Sequence, residues 1–448
     1  MPLLIRNAKY LFSDPASVER DMDVLIDGNT IAAVGHSLTV PADAEVIDAA
    51  GCAVLPGLIN THNHLYQNFL KGIAAGIPLV PWCNDVLFPT VGVLRDAVKS
   101  NARIPWLWTA LATIEMIRGG VTCCIDMDVT YAETLQVWQE MGFRGILAYT
   151  LTNRWVPAEL RAAEDEMRQK TLDFIAAYHR PDELTRVFLA PSTLFLCDDD
   201  LMHWVAAQSE RLDLGVQIHI SETAGEVAES MQETGLRPVE RLERFGLLNE
   251  RLSAVHCVHI DAPEIATLAH TGANVVHCPK SNMKLADGIA PVVPLIAAGV
   301  PVAVATDGAA SNDLLDMWEE MRAALLLARV STNDAAALSP QDALRMATLD
   351  AARTARIDAG AIRPGRLADV IVVDLNRAHL QPFHAADPAN MLVFCTRADD
   401  VRDTIIHGRV VMRERRIITL DEAEVLAEAV AVERELFEKR SLYAFNTR

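Results

Sequence analysis

The chain has 448 residues, is 51% hydrophobic, and carries 60 acidic against 40 basic side chains for a formal charge of −20. That balance excludes binding of nucleic acid or anionic membranes through a basic surface, and the apolar fraction is ample for a large core. Eight cysteines without C-x-x-C spacing, no apolar run near the ~20 residues of a membrane span, and no basic segment leading an apolar one at the start predict reduced thiols and a cytoplasmic protein.

Residues 1–55 read as short strands joined by turns. Asp27-Gly28-Asn29 separates the apolar runs 24–26 and 31–34, a hairpin pattern, and 44–49 and 51–54 continue it. So short a β segment cannot bury a core alone and predicts a partner elsewhere in the chain. From 56 to 358 short apolar strands alternate with longer helical patterns. After a strand that ends at His62, candidates follow at 121–126, 145–149, 186–190, 215–219, 252–256, 273–277 and 300–305. Ile104, Leu107, Leu111 and Ile114 mark one face of an intervening helix that Gly119-Gly120 ends. Eight such units predict an α/β fold, a (β/α)8 TIM barrel over 56–358. Strand patterns return over 359–420, at 370–374 and 401–411, and are expected to pair with the N-terminal strands in a small β-sandwich domain built from both chain ends. A helix and tail occupy 421–448, with Asp421 as the N-cap.

Polar residues fall in register with these strands. In a strand, residues i and i+2 share a side, so the imidazoles of His62 and His64 leave toward one point. His219, His256 and Asp307 also lie at or just past the C-terminal ends of strands, the end that carries the active site in such barrels. His62, His64 and His219 with Asp307 offer three nitrogens and a carboxylate oxygen, a donor set for one divalent metal, Zn²⁺ first and Fe²⁺ second. Such a metal lowers the pKa of bound water from about 15.7 to about 7, and Asp307 is placed to accept the proton. Glu222, three residues past His219, is a candidate proton carrier. His256 is expected beside the metal as an electrophile or orienting donor, His259 behind it, and His277 in a structural role.

The segments PGLINTHNH (56–64), HISET (219–223), AVHCVHI (254–260), HCPKSNMKLADGIAP (277–291) and ATDGAASND (305–313) resemble the amidohydrolase superfamily, in its cytosine-deaminase-like branch with the adenosylhomocysteine, guanine-type and s-triazine aminohydrolases. The resemblance spans nearly the whole chain. It implies a mononuclear metal on His62, His64, His219 and Asp307, with Glu222, His256 and Asp307 catalytic, and a homo-oligomer, dimer or tetramer. The fourth strand offers no lysine for a bridging carbamate, which favours a deaminase over the two-metal hydrolases. Hydroxide would attack a ring carbon bearing an amino group, Glu222 would protonate the adjacent ring nitrogen, and ammonia would leave.

For the substrate, SNMKLADGIAP resembles the methylthioadenosine/adenosylhomocysteine deaminases, in which a ribose-binding glutamate follows a Trp-containing segment. Val91 stands at the corresponding position here and cannot hold two ribose hydroxyls. Gln67 resembles the glutamine that faces the free ring in the 8-oxoguanine-type and triazine enzymes, and Trp82 is a candidate to stack on a planar ring. The first expectation is therefore hydrolytic deamination of a free amino-substituted heterocycle: an oxidised or isomeric purine or pyrimidine base, a pterin or an s-triazine. Release of chloride or alkylamine from a triazine, and deamination of a nucleoside of the adenosine, methylthioadenosine or adenosylhomocysteine type, are the alternatives.

Overall fold

The computed structural model describes residues 2–39, 41, 43–73 and 76–440. Eight strands form one parallel sheet in sequential order: β1 (Leu58–Asn63), β2 (Val121–Asp128), β3 (Arg144–Leu151), β4 (Thr185–Pro191), β5 (Val216–Ile220), β6 (Leu252–His256), β7 (Asn274–His277) and β8 (Val302–Val304). Each arises where the sequence pattern places it, with ends shifted by at most two residues. The strands are buried throughout apart from single positions, as expected of a parallel sheet covered by crossover helices. Polar side chains close β8 onto β1: Thr61 Oγ1 donates to the Val304 carbonyl (3.3 Å) and the Thr306 N–H donates to Asn60 Oδ1 (3.0 Å). The backbone N–H of Asp307 donates to the His62 carbonyl at 3.1 Å, so closure of the barrel and placement of Asp307 are one event.

Both chain ends contribute to the β layers beneath. A seven-stranded sheet sets Val370–Asp374 antiparallel to Cys52–Pro56, with Val401–Ile406, Arg409–Arg413 and Arg416–Ile417 on one side and Tyr10–Asp14 and Ser17–Glu19 on the other. A four-stranded N-terminal sheet holds the Met22–Asp27 and Thr30–Gly35 hairpin around Gly28. Leu3, Ile5, Val24 and Ile26 of the smaller sheet and Val54, Val370, Val372 and Ile405 of the larger share one apolar cluster. Neither sheet buries its inner face alone, which is why the N-terminal strands need the C-terminal ones. Cys52–Pro56 runs through Gly57 straight into β1, so the sandwich is tied to the first site-bearing strand.

The helix Arg103–Arg118 carries the predicted face and stops at Gly119. Asp421 Oδ1 accepts from the N–H groups of Ala423 (3.0 Å) and Glu424 (3.2 Å), the expected cap on Glu422–Arg440; residues 441–448 of the predicted tail lie outside the described residues. Two features were not foreseen: the helix Phe88–Ser100, and a π-helical turn, Cys83–Leu87, directly before it. Together they form a wall over the C-terminal mouth of the barrel. All eight cysteines are free thiols, seven of them buried, and among the described residues no helix is long and apolar enough to cross a membrane.

Candidate metal centre and active site

Four side chains from three strand ends meet at the barrel mouth. The Nε2 atoms of His62 and His64 lie 3.2 and 3.3 Å from Nε2 of His219, and 3.3 and 3.4 Å from Asp307 Oδ1. The outer nitrogen of each imidazole is committed elsewhere. Nδ1 of His62 faces Gln217 Oε1 (2.9 Å), that of His64 the Met127 carbonyl (2.8 Å), and that of His219 the Ser192 carbonyl (2.8 Å). Since each of those partners is an oxygen acceptor, each Nδ1 carries the hydrogen and each Nε2 presents a lone pair to the centre. Three lone pairs and a carboxylate oxygen in mutual contact repel one another unless a cation lies among them, and the donor set suits a divalent transition metal. Burial, then the neighbouring His62, pushes His64 down to about 4, and burial holds His219 well below its usual range, so both imidazoles are neutral as ligands must be.

Asp307 is built for this position. Its φ is +61°, its Oδ1 accepts from the Gly308 N–H (2.7 Å), and its Oδ2 accepts from Ser281 Oγ (2.6 Å) and Ser311 Oγ (3.0 Å). Burial opposes its ionisation, but its contact with His62 and the surrounding imidazoles outweigh burial and hold the carboxyl well below the ordinary range. A Cβ on the next residue, Gly308, would lie 2.0 Å from Gln67 Oε1, so any larger residue there would displace the Gln67 amide.

His256 differs from the other three. Its donor atoms group with those of His62 and His219 within 4.8 Å, which by distance alone would make it a ligand. Its Nδ1, however, faces the Asn282 amide nitrogen at 3.0 Å, a donor, so the imidazole hydrogen sits on Nε2. Nε2 is buried, has no partner among the described residues, and lies 3.6 Å from Glu222 Oε1. Nε2–H is thus a hydrogen-bond donor beside the cluster. Glu222 follows β5 and precedes the helix Ala224–Thr234, and its own N–H donates to Glu226 Oε2 (2.8 Å). Burial, with Asp287, Asp307 and Glu226 nearby, raises its pKa well above the carboxylate range, so it holds a proton at neutral pH. Burial likewise pushes Glu226 up to about 7 and Asp287 up to about 6.

A cavity of about 530 Å³ opens from this cluster; His64, His219, Glu222, His256 and Asp307 line its floor, and Gln67 and Trp82 its side. Gln67 Oε1 and Trp82 Nε1 are buried without partners among the described residues, an acceptor and a donor within the cavity's side wall. Val91, Phe88 and Leu87 form the apolar wall. Seven of the eight predicted site residues line this cavity, and the eighth, His62, lies behind it against His219 and Asp307. His277 is not among them; it borders a separate small cavity. Gln217, Ser281, Asn282 and Asp287 were missed, although Gln217 was detectable: a buried amide in an apolar strand at i−2 from His219 shares its face.

A neutral-imidazole and carboxylate cluster at the C-terminal mouth of a parallel eight-stranded barrel defines a metal-dependent hydrolase. The chain belongs to the amidohydrolase family, whose model matches residues 53–411. It is 35% identical over 433 residues to the 5-methylthioadenosine/S-adenosylhomocysteine deaminase of Pyrococcus furiosus, covering 96% of this chain and all of that one. To the 5'-deoxyadenosine deaminase of Methanothermobacter thermautotrophicus it is 38% identical over 434 residues, covering 95% of this chain and 99% of that one. Among solved structures it is similar to a zinc-bound adenosine deaminase from Xanthomonas campestris, with a TM-score of 0.91, 33% identity, and coverage of 97% and 98% of the two chains.

Proposed function

We propose that this protein is a zinc-dependent deaminase of an adenosine-type nucleoside, with His62, His64, His219 and Asp307 as ligands and Glu222, His256 and Asp307 as catalytic residues. This is the alternative reading of the sequence rather than its first one. The observation that carries it is the run of relatives at 34–38% identity over nearly the whole chain, all bearing the names of nucleoside deaminases. The cavity supports it, since about 530 Å³ falls within the ~300–1,000 Å³ of pockets that bury ligands larger than a single heterocycle.

A zinc ion held there makes water a nucleophile at neutral pH. Asp307 Oδ1, at the edge of the ligand set, is placed to take a proton from the attacking water. Neutral Glu222 gives its O–H proton to the ring nitrogen next to the reacting carbon; the proton held by Asp307 goes to the departing amine, and the proton of the entering hydroxyl returns to Glu222 as the carbonyl forms and ammonia leaves. His256 Nε2–H stabilises the oxygen that enters. Gln67 Oε1 and Trp82 Nε1 offer an acceptor and a donor to the ring, and the wall from Phe88 to Val91 takes the rest of the molecule.

A second reading, deamination of the free heterocycle, is favoured by Val91 on that wall. Among the described residues the only carboxylates lining the cavity are Glu222 and Asp307, and neither is free for a ribose diol. Ammonia release by zinc-loaded protein, measured across matched nucleosides, 5'-substituted nucleosides and free bases, tests the two readings. Turnover of adenosine-type nucleosides is expected. Ammonia from free rings alone would replace the first reading with the second.

A further inference from the structure

Asp287 lies outside the ligand set and does not line the cavity, yet it neighbours Glu222 and reaches His256 through Asn282. Its Oδ2 accepts from Asn282 Nδ2 at 3.3 Å, and the same amide nitrogen donates its other hydrogen to His256 Nδ1 at 3.0 Å. Its carboxyl is also a close neighbour of the Glu222 carboxyl and one of the causes that raise it. The residue is held from several sides. Its N–H donates to the Asn282 carbonyl (2.9 Å), its own carbonyl accepts from His259 Nε2 (2.7 Å), and His259 is anchored through its N–H to the Ser221 carbonyl (2.9 Å). Gly288 follows at φ +132°, where a Cβ would stand 2.9 Å from Val258, so the turn leaves Asp287 one course.

An Asn side chain has a donor end and an acceptor end, and which end faces His256 decides which imidazole nitrogen bears the hydrogen. With Nδ2 toward His256, the hydrogen is on Nε2 and points at the reaction centre. With Oδ1 there instead, Nδ1 would take the hydrogen and Nε2 would aim a lone pair at the substrate. Asp287 forbids the second arrangement, because it would set Asn282 Oδ1 against a carboxylate. We propose that Asp287 is a positioning residue for the deamination: through the Asn282 amide it fixes the tautomer of His256, and through its contact with Glu222 it holds that carboxyl beside His256. His259, left with an undefined supporting role by the sequence, is the residue that pins Asp287.

The inference rests on the roles given to His256 and Glu222 above, and its test is chosen to separate the two. In zinc-loaded protein labelled with ¹⁵N-histidine, the His256 ring signals are assigned by their loss in His256→Gln. Wild type is expected to show Nε2–H. Asp287→Ala is expected to switch His256 to Nδ1–H and to lower kcat ~100-fold, the scale of losing one preorganised donor, with KM within threefold and zinc content unchanged. Asp287→Asn keeps an acceptor for Asn282 and is expected to retain the wild-type tautomer and recover at least tenfold of the lost kcat. Should Asp287→Ala fail to fold, Asn282→Asp imposes the same tautomer switch from the other side and is expected to give the same kcat loss. An Asp287→Ala or Asn282→Asp protein that retains Nε2–H, or keeps kcat within threefold of wild type, would overturn the proposal. If wild type deaminates none of the nucleosides or bases, the functional reading fails, while the tautomer measurement still decides the role of Asp287.

Discussion

Gln217 sets the orientation of His62, the first of the proposed metal ligands, and Gln217→Leu isolates that task because the volume is nearly kept. The wild-type amide is fully buried, accepts from His62 Nδ1–H at 2.9 Å and donates to the Thr61 carbonyl at 2.8 Å. Leucine removes both bonds at once. It leaves a buried N–H and a buried carbonyl without partners, each costing about 1–3 kcal/mol, so about 2–6 kcal/mol of stability is lost. The metal is affected separately. Without its acceptor, the His62 ring is free to turn and its Nε2 is less basic, a change that costs about 10–100-fold in metal affinity, or about 1.4–2.7 kcal/mol. Zinc affinity by chelator competition and stability by urea unfolding of the apoprotein measure the two effects independently. Gln217→Glu, which retains the acceptor but not the donor, is expected to lose stability while keeping zinc affinity within tenfold. A Gln217→Leu protein that binds zinc within twofold of wild type would refute the claim that this amide orients His62.

Glu222→Gln is expected to keep fold and zinc content and to lose about 10²–10⁴-fold in kcat; it also removes an acid crowded by Asp287, so its Tm at neutral pH should equal or exceed that of wild type. Glu320, fully buried, accepts from Asn312 Nδ2 (2.7 Å) and the Lys280 N–H (3.3 Å), and burial pushes it up to about 8. Its folded pKa lies above its unfolded value of 4.5, so its contribution is complete below that value and is lost as pH rises to about 8, with a slope of at most ~1.4 kcal/mol per pH unit; urea unfolding of Glu320→Gln across this range should show that slope removed. Val91→Glu adds a carboxylate to the wall, and if the sugar lies there, charge-assisted bonds of about 1.5–3 kcal/mol should lower KM for nucleosides about tenfold or more while leaving free bases unchanged. Equal effects on both substrate classes would show that Val91 does not face the sugar.

The barrel was legible because strand burial in a parallel sheet leaves continuous apolar runs, and because a polar residue at the end of such a run has few uses besides the site. His62, His64, His219, His256 and Asp307 could be found this way, and the structure gathers them. The supports could not. Ser281 and Asn282 lie on a short helix after β7 and reach Asp307 and His256 across 26 residues of sequence in each case; no local pattern marks a contact of that separation. Spacing alone also could not separate ligand from donor among four imidazoles, because the difference lies in what their outer nitrogens meet: an oxygen for His62, His64 and His219, an amide nitrogen for His256.

The substrate was the least legible part, and the fold explains why. The reacting groups are fixed by strand ends, where position, side and burial follow from a period of two. The substrate wall is made by the π-helical turn Cys83–Leu87 and the helix Phe88–Ser100, an insertion between β1 and β2 that owes nothing to the barrel repeat. Its inward residues are chosen for shape as much as for hydrogen bonds, so a valine there reads equally as a missing ribose partner and as an apolar surface for the remainder of a nucleoside. Gln67 is ambiguous for a related reason. Its unpartnered oxygen lies within the cavity's side wall and packs on Gly308, immediately after Asp307. A side chain that fills the gap beside a metal ligand and also touches the ring serves a free base and a nucleoside alike. Reaction class and substrate therefore rest on different parts of the molecule: the first on strand ends common to the family, the second on one inserted wall.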